Sequence, residues 1–195
     1  QVCIKVQRVY VEKQAHEAFL EKLLARTKAV ATGNPADERT VCGPVIDDRS
    51  AVRITAWVDE AVAGGAKVLA GHRREGRLLQ PTVLAGVPED SKAAREEIFG
   101  PVVAVWPVAD WEAGLGAVNS GQYGLQAGVF TGDLRRVRQA FHGLEVGGVI
   151  VNDAPSLRSD NMPYGGVKRS GLGREGVRYA MEELTEERVL VTRLR

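Results

Sequence analysis

The sequence predicts a three-layer α/β domain built on a mostly parallel sheet, and three observations lead there. Stretches suited to strands alternate with helical stretches, so that successive strands are joined by crossovers onto parallel neighbours. The runs VVAVWPV at 102 to 108 and GGVIV at 147 to 151 are continuously apolar, as strands covered by helices on both faces are. A chain of 195 residues with 44% hydrophobic content is long enough for one well-buried core.

Each element has its own warrant. From Val6 to Val11 apolar and polar side chains alternate, as a strand buried on one face requires. Phe19, Leu20, Leu23, Leu24, Thr27, Val30 and Ala31 then recur at helical spacing, with Gly33 and Pro35 as stop signals. The stretch on to Pro44 has no period and reads as a surface crossing. Val52, Thr55, Val58 and Val62 form a second helical stripe, closed by Gly64 and Gly65, and a short strand follows from Lys67 to Ala70. Leu78 to Leu84 suits a strand that Pro81 confines to an edge or a bulge.

A short helix near Ser91 to Glu97 comes next, then a strand from Val102 to Val108 and a helix from Trp111 to Val118. Strand Ala127 to Phe130, helix Leu134 to Leu144 and strand Gly148 to Val151 continue the alternation. Glu187 to Arg195, with Val189, Val191 and Leu194, reads as an isolated strand whose bare edge needs a cover. A subunit contact supplies it, so a homo-oligomer is expected.

Composition narrows the partners. A formal net charge of +1, from 26 basic against 25 acidic residues, gives no footprint for nucleic acid or an anionic membrane. No apolar run approaches the roughly 18 to 20 residues of a membrane helix, and nothing at the start resembles a signal peptide. Only Cys3 and Cys42 occur, among many Lys, Arg and Glu residues, which fits a reducing compartment and a cytoplasmic protein. Gln1 is not a methionine and Val2, Cys3, Ile4 and Val6 are already apolar. The start reads as the middle of a longer polypeptide.

Three segments carry chemistry. A lone cysteine such as Cys3 is ordinarily a small buried hydrophobe. EEIFGP at 96 to 101 sets two acids before Phe-Gly-Pro; alone, Glu96 and Glu97 would be a solvated helix face and Phe99 a core contact. MPYGGVKRSGLGREG at 162 to 176 is too rich in glycine for an element interior, and signals positive φ or close backbone approach. Gly171, Gly173 and Gly176 match GxGxxG spacing without a strand directly before them. A phosphate-cradling loop is therefore rejected. Cys42 is taken as packing. His16, His72 and His142 show no metal-ligand spacing.

Taken together, QVC with Arg8, EEIFGPVV, YGLQAGVFT at 123 to 131, and VND followed by MPYGGVKRSGLGREG resemble the aldehyde dehydrogenase superfamily. The likeness runs in order through essentially the whole chain. It implies that the Cys3 thiolate attacks an aldehyde carbonyl, that the thiohemiacetal gives hydride to NAD or NADP, and that a thioester is then hydrolysed. It also implies that Glu97 binds the nicotinamide ribose hydroxyls and that Phe99 packs beside the nicotinamide. A carboxylate accepting from two hydroxyls is sensible chemistry for the first role. The backbone N–H of Cys3 would be half of an oxyanion hole.

In the superfamily the other half of that hole, the pyrophosphate-receiving turn and the water-activating glutamate all precede the cysteine. Residues 1 to 184 are thus expected to be the catalytic domain and 185 to 195 the subunit-contact strand. The NAD(P)-binding domain is expected to lie outside the chain, which by itself should not turn over. Asn152 matches an asparagine at the start of a loop that borders the aldehyde tunnel, where a structural role is the plainer one. The loop beyond it, to Met162, carries Leu157 and Arg158 as further candidate substrate contacts. VNDAPSLRSDNMPYGG resembles the branch that handles lactaldehyde-like and small acidic aldehydes. A guanidinium there would hold an anionic or hydroxyl group; otherwise it is solvated. Two other classes stay open: a non-catalytic assembly domain, and an acylating or thioesterase-like activity through Cys3 alone.

Overall fold

The computed structural model describes residues 2–194. Contacts within the chain cluster into two compact units, the first ending at Gln122 and the second beginning at Tyr123.

The first unit is built on a four-stranded sheet. β1 (Arg8–Glu12) leads into α1 (Lys13–Lys28), and α2 (Asp48–Ala63) into β2 (Lys67–Ala70). The two-residue strands β3 (Arg74–Glu75) and β4 (Leu78–Leu79) form a small ribbon before β5 (Thr82–Ala85). α3 (Lys92–Arg95), β6 (Val102–Val108) and α4 (Trp111–Asn119) complete the unit. The strand order is β1-β6-β5-β2, with β1, β6 and β5 parallel and β2 antiparallel at one edge. The expected α/β fold with a mostly parallel sheet is thus present.

Burial follows the sequence pattern. Ala51, Ile54, Val58 and Ala61 of α2 bury one helical face against Leu84, Val102 and Ala104, while Val83 and Val105, next in the strand alternation, are buried outside that cluster. α1 packs against the sheet along most of the stripe the sequence predicts: Phe19, Leu20, Leu23, Leu24 and Thr27 are half-buried, as is Val30 beyond the helix end, while Ala31 is exposed. Tyr10 and Trp106, paired in register on β1 and β6, stack with ring centroids 5.2 Å apart. Asp47 and Asp110 each accept a backbone N–H in the first turn of α2 and α4, caps worth about 1 kcal/mol each.

One strand differs from expectation. The run from Leu78 to Leu84 is not a single edge or bulged strand but two, β4 and β5, parted at Pro81. A proline has no N–H for a ladder, and β5 has a neighbour on each side. The strand therefore starts one residue later, where the N–H of Thr82 donates to Pro101 O at 2.8 Å.

In the second unit β7 (Tyr123–Gly124) precedes β8 (Gln126–Val129), α5 (Leu134–Gly143) and β9 (Gly148–Val151), with β8 and β9 parallel. β10 (Val167–Lys168) pairs antiparallel with β7, and α6 (Val177–Leu184) follows. The glycine-rich segment shows the close approach expected of it: a Cβ on Gly165 would lie 2.6 Å from Gly173 O. α6 and the two-residue strands β3, β7 and β10 are elements that sequence periodicity does not supply. Residues 185–194 are exposed and form no helix or strand within this chain. The strand expected from Glu187 is therefore not formed among the described residues, and Arg195 at its end lies outside them.

Candidate active site

Cys3 lies in a short turn just before β1, with its side chain exposed. The turn is closed by the N–H of Lys5, which donates to Val2 O at 3.1 Å. Because β1 runs parallel to β6, the residues after Cys3 travel beside the EEIFGP turn that leads into β6. Arg8 is opposite Ala104, and Ala104 N–H donates to Gln7 O at 2.8 Å. Two motifs separated by more than 90 residues in sequence are thereby carried on adjacent stretches of backbone.

Within that turn Glu97 is exposed and Phe99 is 42% exposed, while Ile98 between them is fully buried. Phe99 has φ +49°, a left-handed conformation that costs a bulky residue about 1 to 3 kcal/mol. The burial of Ile98 offsets that by about 1.5 to 3 kcal/mol. Gly100 has a steric reason to be glycine, since a Cβ there would come within 2.6 Å of Ile54 Cδ1 on α2. The alternation out, in, out thus presents a carboxylate and an aromatic ring to solvent from a fixed turn. These are fitting groups for a ribose diol and a nicotinamide ring.

Three neighbours have roles that the sequence does not reveal. Lys5 is half-buried, and its ammonium donates to the carbonyl of Val102. Desolvation pushes its pKa down to about 8, although the nearby Glu97 carboxylate works in the other direction. Gln7 spends its side-chain amide on the EEIF segment. Arg8, part of the cysteine motif, donates to Val118 O at 3.2 Å in the last turn of α4, so its charge is held at the negative end of the helix. No helical or strand spacing relates these pairs, so no sequence signal could have found them.

Cys42 contrasts with Cys3. It is half-buried, with Sγ 3.8 Å from Gly43 O and 3.9 Å from Leu79 O, and burial pushes its thiol pKa up. Among the described residues no group of His, Cys, Asp and Glu is placed to hold a metal ion.

The other candidate residues belong to the second unit. Asn152, at the end of β9, has φ +58° and accepts the N–H of Thr131 on its side-chain oxygen at 2.9 Å. That bond pins the loops after β8 and β9 together, a structural task. Leu157 is 48% exposed, and its carbonyl accepts from Gln126 Nε2 at 3.2 Å. Arg158 stands 4.3 Å above the Tyr164 ring and donates through Nη2 to Glu175 at 3.2 Å. Its side chain is partly exposed. The guanidinium is therefore positioned, by an aromatic face and a carboxylate, rather than left to solvent.

Comparison with known proteins agrees with this fold and motif set. The chain belongs to the aldehyde dehydrogenase family, whose model matches residues 1–190. It is 49% identical, over 194 residues, to a 3-sulfolactaldehyde dehydrogenase of Priestia megaterium, covering 100% of this chain and 41% of that protein. Among solved structures, aldehyde dehydrogenase 21 of Physcomitrella patens in complex with the reaction product succinate superposes with a TM-score of 0.96 at 46% identity, over 98% of this chain and 40% of that one. A glyceraldehyde-3-phosphate dehydrogenase of Methanocaldococcus jannaschii complexed with NADP gives 0.89 at 40% identity, over 93% of this chain and 40% of that one. The chain thus spans about two fifths of the length of these relatives. No helix among the described residues is long and apolar enough to cross a membrane.

Proposed function

We propose that this chain is the catalytic-cysteine portion of an NAD(P)-dependent aldehyde dehydrogenase that oxidises a short aldehyde bearing an anionic or hydroxyl group to its carboxylic acid. The observation that carries the reading is the adjacency of the exposed Cys3 turn to the EEIFGP turn, which holds Glu97 and Phe99 toward solvent. Three relatives support the substrate class, since their names carry a sulfonate, a dicarboxylate product and a phosphate. Arg158, braced by Tyr164 and Glu175, is the residue of this chain chemically suited to such a group, with Leu157 and Asn152 on the same loop.

In this mechanism the Cys3 thiolate adds to the aldehyde carbon, forming a C–S bond while the carbonyl electron pair moves to oxygen. The Cys3 N–H donates to that oxyanion. A nicotinamide dinucleotide, when bound, would supply the hydride acceptor; Glu97 would accept from its ribose hydroxyls and Phe99 would pack beside its ring. Loss of hydride from the carbon leaves a thioester on Cys3 Sγ. Water, giving one proton to the general base, adds to the thioester carbon, and the C–S bond breaks to release the acid and restore the thiolate. The general base and most of the cofactor site belong to a preceding domain, and the tail from Glu187 pairs with a second copy. Two cysteines outside any disulfide suit a cytoplasmic enzyme.

The test uses the full-length enzyme with NAD and NADP against 3-sulfolactaldehyde, glyceraldehyde 3-phosphate, succinic semialdehyde and propanal. Cys3→Ser should abolish turnover by about four orders of magnitude or more while leaving the fold and cofactor binding in place. A Cys3→Ser enzyme that keeps wild-type kcat overturns the proposal.

A further inference from the structure

Gln7 is the last residue before β1, four positions beyond Cys3. Its side-chain amide is wholly committed to one stretch of chain. Nε2 donates to the carbonyls of Glu96 at 2.7 Å and Ala93 at 3.2 Å, and Oε1 accepts the N–H of Ile98 at 2.9 Å. The orientation of the amide is fixed by these partners, because two carbonyls require the donor end and one N–H requires the acceptor end. The carbonyl of Ile98 in turn accepts from Arg53 Nη2 at 2.8 Å.

Two of the Gln7 bonds fall on a segment whose backbone–backbone bonds lie at its ends, where Glu96 N–H donates to Lys92 O at 2.9 Å and Pro101 O accepts from Thr82 N–H at 2.8 Å. α3 ends at Arg95 and β6 begins at Val102, so Glu96 to Pro101 lies outside helix and strand. Both polar backbone groups of Ile98 are held by side chains, one from each flank. Glu97 and Phe99, the exposed residues on either side of Ile98, inherit their positions from that arrangement, and the left-handed φ of Phe99 needs something to maintain it. The same glutamine's backbone carbonyl accepts from Ala104, so one residue sets the turn and its register against the Cys3 segment.

We infer that Gln7 is a positioning residue for cofactor binding: its amide clamps the turn so that Glu97 and Phe99 are pre-set to receive a nicotinamide dinucleotide. The inference rests on the proposed reading of Cys3, Glu97 and Phe99. Its physical basis is preorganisation, since a turn that must be ordered on binding takes that ordering out of the affinity.

The experiment compares Gln7→Met, Gln7→Glu and Glu97→Gln in the full-length enzyme by fluorescence titration with NADH and NADPH and by steady-state kinetics. Gln7→Met fills the space without hydrogen bonds, and Gln7→Glu keeps the acceptor for Ile98 N–H but lacks both donors. Each Gln7 variant should weaken cofactor binding by about tenfold and raise cofactor KM in step, with aldehyde KM changed less than about twofold. Amide exchange of the wild-type protein without cofactor is the second readout, and Ile98 N–H should be protected there. Rapid exchange at Ile98 in the wild type overturns the clamp even if Gln7→Met fails to fold. Weaker cofactor binding in Glu97→Gln with none in folded Gln7 variants overturns the clamp alone. Unchanged binding in all three variants removes the reading of the turn together with it.

Discussion

The segment around Cys3 and the loop after β9 each present candidate site residues to solvent, but they hold them by different means. Glu97 and Phe99 stand on a turn whose central residue is fully buried and whose backbone is bonded by Gln7 and Arg53 from either side. Arg158 stands on a loop of mostly exposed residues and is steadied by side chains, a ring face and a single ion pair. Buried hydrogen bonds to backbone are costly to break because the orphaned groups lose water as well as partner, whereas exposed ion pairs contribute about 0 to 1 kcal/mol. The first arrangement suits parts of a mechanism that cannot vary, and the second suits parts that vary with substrate.

The largest expected effect that sharpens this contrast concerns the two thiols. In the full-length enzyme Cys3 should react with iodoacetamide about tenfold or more faster than Cys42. The thiolate is the nucleophile, and burial holds Cys42 in the thiol form. Adding cofactor should alter the Cys3 rate and leave Cys42 alone. Quantifying both adducts by peptide mass spectrometry decides it, and equal rates take Cys3 out of the mechanism.

Arg158→Ala tests the other side of the comparison. For a short anionic aldehyde kcat/KM should fall about tenfold, equal to about 1.4 kcal/mol, while propanal is turned over nearly as before. Thermal stability should fall little, because the Glu175 pair is exposed. Equal losses on both substrates, or none on either, return Arg158 to a surface role.

The two regions also differ in how far the sequence discloses them. Strands Lys67–Ala70, Val102–Val108 and Gly148–Val151 have the boundaries that pattern predicts, because length, apolarity and flanking breakers coincide there. α6 is invisible to the same reasoning. Val177, Met181 and Leu184 are spaced as on a helix, but they follow a run of glycines that reads as loop, and all three are exposed. The two-residue strands are too short to show any period. Cys3, Glu97 and Phe99 are candidates through family resemblance alone, since no spacing singles them out. Gln7 was legible through neither, because its partners lie 86 to 91 residues away and only the parallel pairing of β1 with β6 brings them within reach.

The smallest expected effect tests whether the firmly held region carries an electrostatic cost. Lys5 is half-buried beside Val102, and its pKa is lowered to about 8 from 10.5, chiefly by desolvation. Native protein therefore releases this proton near pH 8, and the unfolded chain keeps it until about two pH units higher. Between those values the unfolded state binds more protons, so this group makes stability rise with pH, by about 1 kcal/mol from pH 7 to pH 9. The direction is the same as for a salt-bridged carboxylate, whose folded-state pKa is also lowered, but the window lies between about 8 and 10.5 instead of in the acid range. Glu97 opposes the effect without reversing it, since its attraction for the ammonium is the lesser influence on Lys5. Urea unfolding at pH 7, 8 and 9 should show wild-type stability gaining on Lys5→Met across that window, since the methionine has no proton to lose. Parallel pH profiles for the two proteins mean that Lys5 keeps the same proton in both states, and that the anchoring of this region is free of the desolvation cost its burial implies.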